Sequence, residues 1–307
     1  MSRFVVLTAL ILIARSVLAQ PPVIWETIVP GFTSKYGYCI ELIEDDGYVV
    51  AGVDSASTYG DDAYLVKMDL SGSILWSQTY NYLNHQVTYG VVTYGSGINR
   101  EYVLTGYKQA IAPLNKDVII SKTDYTGSYI GSYLWGDENN DQVGRHIQRT
   151  SDGGFIIVGW TNDNQSAGDY DILLLKRNSD GSHAWANRFG GVYDDKGYCV
   201  KQTDDNGYII TGYITNANGN KDAVLIKTNS NGELVWQETY TWEEGQDEAG
   251  HSVLWFEDAS EDIHYVVCGY CHLTNSWGGG LTQEDDVWAF QVDDDGDVEW
   301  SEKYGEC

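Results

Sequence analysis

An all-β fold of the β-propeller class, five blades of four antiparallel strands, is what this 307-residue sequence predicts. Three observations predict it. First, a glycine recurs at Gly37, Gly90, Gly144, Gly197 and Gly250, and a second follows in each copy at Gly52, Gly106, Gly159, Gly212 and Gly269. A period of about 53 residues marks one supersecondary unit copied around a ring or along a stack. Second, each copy holds short runs rich in Val, Ile, Tyr and Thr, separated by Gly, Asn and Asp and without a helical period; this is strand and tight-turn chemistry. Third, a tryptophan closes the last run of nearly every copy. A β-helix would have a shorter rung, and a sandwich would not repeat.

In chain order, residues 1–19 come first. Arg3, an apolar run from Phe4 to Ala14 and the ending Ser16-Val17-Leu18-Ala19 have the layout of a cleaved secretory signal. No later stretch approaches the ~20 apolar residues of a membrane helix, so the expectation is a secreted, extracellular protein without membrane insertion. Residues 20–307 form one propeller domain with repeats near 25–76, 77–131, 132–185, 186–236 and 237–300, then a C-terminal tail.

The fourth copy shows the grammar. Strand A is Gly197–Thr203, B is Gly207–Ile214, C is Asp222–Thr228 and D is Glu233–Tyr240. Asp204-Asp205-Asn206-Gly207 turns A into B, and Asn229-Ser230-Asn231-Gly232 turns C into D. Copies one and three keep the first turn at Glu44-Asp45-Asp46-Gly47 and Ser151-Asp152-Gly153-Gly154. The second keeps a glycine throughout, at Gly72, Gly127, Gly181, Gly232 and Gly296. Trp25, Trp76, Trp185, Trp236 and Trp300 occupy one phase of strand D, with Gly131 in copy two. A large aromatic at a fixed phase of every sheet packs one blade on the next; a ladder of sugar-stacking tryptophans is the alternative.

Three segments, Asp152-Gly153-Gly154-Phe155-Ile156-Ile157-Val158-Gly159, Asp62-Ala63-Tyr64-Leu65-Val66-Lys67 and Asn231-Gly232-Glu233-Leu234-Val235-Trp236, resemble the repeats of a group of secreted β-propeller proteins over residues 23–304. The turn-to-tryptophan segment is also similar to the tryptophan-docked repeats of quinoprotein-type propellers, without implying a quinone. The resemblance supports fold and compartment and says little about activity.

The chain carries 45 acidic and 18 basic side chains, a net charge of −27, spread over all repeats. Such a surface repels nucleic-acid phosphates and anionic lipid, so nucleic acid is excluded as a partner. Its bland reading is a solvated coat on an exported protein; the sharper one is an affinity for cations.

Function is expected on the face that carries the B-to-C and D-to-A connections, since these vary while the opposite turns are short. Its longest loop, His272 to Asp286, holds Trp277 beside three glycines, where an indole could stack on a sugar. Trp242, Tyr193 and Asp195 join it as candidate ligand contacts. Three residues before the strand A glycine stand Ser34, Val87, Asp141, Asp194 and Asp247; the last three could converge on calcium, or serve as ordinary turn residues. Asp62, Asp117, Asp171, Asp222 and Asp286 open strand C in every copy and read as structural. Asp293-Asp294-Asp295-Gly296-Asp297 fails the EF-hand phase. No cofactor other than calcium is expected.

The main reading is therefore a non-catalytic extracellular binding module for a glycan or a partner protein. Glycosidase chemistry needs two carboxylates in a pocket, which Asp141, Asp194, Asp195 and Asp247 could supply, yet no copy installs a distinctive acid or base. The histidines fall at scattered phases, without a nucleophile signature. Five cysteines leave one or more unpaired in an exported chain; a Cys271–Cys307 bridge and a buried Cys268 are expected. Asn164-Gln165-Ser166 is a glycosylation sequon. Finally, the strand D pattern occurs six times, because Val23, Ile24 and Trp25 open a copy of it before the first blade. The extra copy is either an edge strand within the ring or a strand given to another copy of the chain, which would build an assembly.

Overall fold

The computed structural model describes residues 35–43, 46–57, 60–80, 85–109, 115–137, 139–163, 169–275 and 282–305. The first blade is β1 (Lys35–Ile43), β2 (Gly47–Ser57), β3 (Gly60–Met68) and β4 (Ile74–Tyr80). The second is β5 (Gln86–Tyr94), β6 (Glu101–Gln109), β7 (Lys116–Asp124) and β8 (Tyr129–Trp135). The third is β9 (Gln142–Arg149), β10 (Phe155–Thr161), β11 (Asp171–Arg177) and β12 (His183–Phe189). The fourth is β13 (Lys196–Gln202), β14 (Tyr208–Thr215), β15 (Lys221–Thr228) and β16 (Leu234–Tyr240). The fifth is β17 (Glu248–Glu257), β18 (Ile263–Asn275), β19 (Thr282–Asp293) and β20 (Val298–Tyr304). Each blade is an antiparallel meander in chain order, and the five make a five-bladed β-propeller. No helix of the described residues is long and apolar enough to cross a membrane.

Every innermost strand carries a β-bulge one residue after the same register point. Gly37 pairs with Gly52, Thr88 with Gly106, Gly144 with Gly159, Gly197 with Gly212 and Gly250 with Gly269, and the register slips at that point in each blade. A bulge leaves one residue out of the ladder and re-aims its side chain. It also presses the carbonyl of Val143 against Gly159, where a Cβ would overlap the oxygen; the same holds in the other blades. This close approach is why the second glycine never varies. The strand A glycine of the second copy therefore corrects the sequence alignment: its slot is filled by Thr88, and Gly90 lies beyond the bulge.

Neighbouring blades meet through apolar faces. Val92, Val103, Val118 and Ile120 of the second blade pack with Ile147, Phe155 and Ile157 of the third, and equivalent clusters join the first to the second, the third to the fourth and the fourth to the fifth. The strand D tryptophans serve these boundaries as the sequence suggests. Trp76 meets Tyr102 with ring centroids 5.7 Å apart, and Trp185 meets Tyr208 at 5.9 Å. The quoted motifs explain themselves as well. Strand C lysines Lys176 and Lys227, nearly buried, reach back to the A-to-B turn aspartates Asp152 at 2.8 Å and Asp205 at 2.6 Å.

The boundary between the fifth and first blades differs. At one register position of the inner strand, Val91, Ile147, Val200 and Val253 are 0–1% exposed, whereas Ile40 of the first blade is 43% exposed. Across from it, Val287 of the fifth blade is 49% exposed although its counterpart Val118 is 0%. No cluster of buried apolar residues joins these two blades among the described residues.

Candidate functional site

The bulge residues decide what lies at the axis. They are Tyr38, Tyr89, Arg145, Tyr198 and His251, one from each blade. Arg145, in the third blade, has its guanidinium 5.8 Å from the Tyr38 ring, 4.9 Å from Tyr89 and 6.0 Å from Tyr198. Touching the first, second and fourth blades at once is open only to a residue on the axis. Tyr38 and Tyr89 are 4.9 Å apart, and Tyr198 and His251 4.8 Å. Burial raises the Tyr38, Tyr89 and Tyr198 phenols and lowers His251, so Arg145 carries the charge of this ring. Burial, with Lys201 and Arg145, also pushes neighbouring His146 down to about 3.

A second tier stands around the ring on the variable face, supplied by the residues following the strand B glycines. Tyr107 lies 6.2 Å from Tyr89, Trp160 6.4 Å from Tyr198, Tyr213 5.8 Å from Tyr198, and Tyr270 5.6 Å from His251. Lysines cover three of these rings. Lys116 sits 5.0 Å from Tyr107, Lys196 5.1 Å from Trp160 and Lys221 5.0 Å from Tyr213. The result is a funnel with an aromatic wall and a guanidinium at its base.

The aspartates singled out as a calcium set lie on this rim, each half-buried and each fixed by the preceding blade. Asp141 Oδ1 accepts the Lys116 amide at 2.9 Å, Asp194 the Tyr170 amide at 3.1 Å and Asp247 the Lys221 amide at 2.9 Å. With the second copy aligned on Thr88, its occupant of this slot is His85, not Val87, and His85 Nδ1 accepts the Asp61 amide at 3.2 Å. The slot is thus a clamp between blades, which gives these carboxylates a role without a metal. Among the described residues no group of three or more His, Cys, Asp or Glu side chains could hold a metal ion.

Tyr170 ties two of the carboxylates together. Its amide goes to Asp194, its hydroxyl donates to Asp141 Oδ2 at 3.2 Å, and Lys196 stands 4.8 Å over its ring.

Deeper acids form a separate layer. Asp195, expected among the ligand contacts, is only 1% exposed and accepts amides from Gly191 at 2.7 Å and Thr215 at 2.8 Å, so its place is inside the loop and not at its surface. Burial, partly offset by those amides, with Asp171 and Asp194 nearby, pushes it up to about 6. Glu248 is fully buried, with Oε2 unpartnered, and burial pushes it up to about 7. Neither can touch a ligand in this arrangement.

Of the other candidates, Tyr193 is exposed in the loop before β13, and Trp242 is exposed in the loop before β17, 6.4 Å from Trp288. Trp277, Asn164, Val23, Ile24 and Trp25 lie outside the described residues. The expected bridge reaches Cys307, also outside them, while Cys271 is a free buried thiol pushed up to about 11 by burial. Cys268, expected to be buried, is exposed because its side of the strand faces the first blade, across the boundary where no cluster of buried apolar residues forms among the described residues.

Sequence reasoning missed Arg145, Tyr170 and the aromatic tiers. A signal was there: Gly37, Gly144, Gly197 and Gly250 are each followed by a large ring or a cation. Aligning copy two on Gly90 hid it.

No protein-family model matches the chain, and no characterised protein matches its sequence. Two solved structures are similar in fold. One is an endo-arabinase from Bacteroides thetaiotaomicron, at 13% identity over 83% of this chain and 93% of that one, with a TM-score of 0.47. The other is a GH43 β-1,3-galactosidase with galactodeoxynojirimycin, at 12% identity over 84% and 91%, with a TM-score of 0.47. Both are named as enzymes, which sets them against the expectation of a non-catalytic binding module. At these identities the likeness is one of fold alone.

Proposed function

We propose that the protein is an exported, glycoside hydrolase-like enzyme whose site is the axial funnel. The observation that carries this reading is Tyr170, which bonds both Asp141 and Asp194. Two carboxylates held on one tyrosine supply the paired acids that a glycosidase needs. Both carboxylates are half-buried on the rim, with one oxygen of each oriented by a backbone amide. Trp160 under Lys196 offers the ring face that a pyranose or furanose stacks on. In this reading one carboxyl protonates the glycosidic oxygen while the other activates water, and Tyr170 keeps their separation.

Export rests on residues 1–19, which read as a secretory signal.

The test is release of reducing sugar from a panel of plant and microbial polysaccharides by the purified full chain. Turnover that falls by about a hundredfold or more in both Asp141→Asn and Asp194→Asn, with the fold intact, supports the assignment, since general acid–base catalysis contributes about that much. Turnover unchanged in both variants, or absent on every polysaccharide, overturns it.

A further inference from the structure

We infer that the funnel selects a sugar bearing a carboxylate, a uronic acid residue, and that Arg145 is the group that recognises it. The inference rests on the reading of the funnel as a sugar site and names the class of sugar.

Cations in this acidic chain usually have a carboxylate beside them. Lys35, Lys67, Arg100, Lys122, Lys176, Arg188, Lys221, Lys227 and Lys303 each stand within ion-pair distance of an Asp or Glu. Arg145 does not, although it is half-buried. Among the described residues its guanidinium makes neither an ion pair nor a side-chain hydrogen bond, and its neighbours are the faces of Tyr38, Tyr89 and Tyr198. A ring face attracts the charge but leaves the N–H donors, which lie in the guanidinium plane, to water and not to a described side chain. Those donors form a fork that fits a carboxylate in bidentate fashion. Lys116 and Lys196, on the wall above, are likewise over aromatic rings and outside ion-pair distance of any described carboxylate.

The funnel therefore gathers three such cations within a protein of net charge −27. The field of the distant acids is screened over ~8 Å at physiological salt, whereas a contact pair at the base of a funnel is screened far less. Recognition of an anion can succeed there while the rest of the surface repels it. The aromatic tiers supply what a simple anion would not use: ring faces against the apolar face of the sugar.

The experiment compares an acidic oligosaccharide with its neutral isostere on the native full chain. Oligogalacturonide and its methyl ester are titrated into the protein by calorimetry at physiological salt, so that no variant is needed. The expected result is binding of the acid form about tenfold or more tighter than the ester, a difference that corresponds to ~1.4 kcal/mol. Arg145→Gln should bring the two affinities together. Arg145→Lys should keep part of the preference because it keeps the charge and loses the fork. Circular dichroism establishes that each variant is folded, and the native comparison stands if one is not. Equal affinity for acid and ester, or binding of neither, overturns the inference, as does a preference that survives Arg145→Gln. If neutral polysaccharides are cleaved in an Asp141- and Asp194-dependent way while uronides are ignored, the inference falls and the hydrolase reading stands. If no polysaccharide is cleaved but the acid form binds through Arg145, the reverse holds.

Discussion

The indole of Trp236 stands edge-on against the ring of Tyr265, centroids 5.9 Å apart and planes at 67°, across the boundary between the fourth and fifth blades. The same pair recurs as Trp76 with Tyr102 and as Trp185 with Tyr208. Edge-to-face pairs are worth ~0.5–1.5 kcal/mol beyond the area they bury. A double-mutant cycle on Trp236→Leu and Tyr265→Leu, read by urea denaturation, should return a coupling of that size. A coupling indistinguishable from zero would make the tryptophans mere apolar filler.

Between the second and third blades this pair is absent, because Gly131 replaces the tryptophan opposite Phe155. A Cβ at Gly131 meets nothing within 4 Å. Lys122 stands 5.8 Å over the Phe155 ring; with that ammonium displaced, Gly131→Trp should raise stability by about 1 kcal/mol through restored strand propensity and ring packing. A lower thermal midpoint in this variant would show that the space is occupied.

The inner strands should respond unevenly to truncation. Ile147, 1% exposed between blades, falls in the class for which Ile→Ala costs ~2–5 kcal/mol. Ile40 occupies the equivalent register but is 43% exposed, so Ile40→Ala should cost less than about 1 kcal/mol. Comparable losses at the two positions would mean that in solution the fifth and first blades close on one another.

Stability should peak in mild acid. Asp195 and Glu248 are held up at about 6 and about 7 by burial. In the unfolded chain such groups ionise near pH ~4, so between there and neutrality the native state retains protons that the unfolded state has released. Each group then removes stability as pH rises through that window, at most ~1.4 kcal/mol per pH unit, and the loss levels off above the native value. Asp152 acts oppositely. Burial raises it, but the Lys176 ammonium, the Thr150 hydroxyl and the Gly154 amide outweigh that and hold it down at about 2. Its contribution is present above the unfolded value and lost as pH falls toward 2. Denaturant midpoints measured from pH 3 to 9 should show the maximum, and Glu248→Gln should flatten the alkaline side. An unchanged slope in that variant would remove Glu248 as its origin.

The inter-blade clamp makes a prediction independent of catalysis. His85 takes the Asp61 amide where the later blades use an aspartate. His85→Asp should preserve the bond and stability, whereas His85→Ala loses an exposed hydrogen bond and should cost ~0.5–1 kcal/mol. Equal stability of the two variants would show that water replaces the clamp.

What the sequence determined by itself was the architecture. Strand-forming runs and turn glycines recur in every copy and a tryptophan at fixed phase in all but the second, and each follows from local chemistry: β-branched packing, positive φ at Gly127 or Gly232, and an aromatic that needs a neighbouring blade. The axial site was beyond it. Tyr38, Tyr89, Arg145, Tyr198 and His251 are not one residue type, so no single motif links them. They meet because a bulge in each inner strand turns one side chain toward the axis, and only closing the register, with Thr88 and not Gly90 beside Gly106, shows which side chain that is. The aspartates of the third to fifth copies were visible as a pattern, but whether a carboxylate faces a metal, a sugar or the amide of the preceding blade depends on contacts between repeats. Those contacts join residues about half a repeat apart in the chain, and the tertiary structure alone sets them.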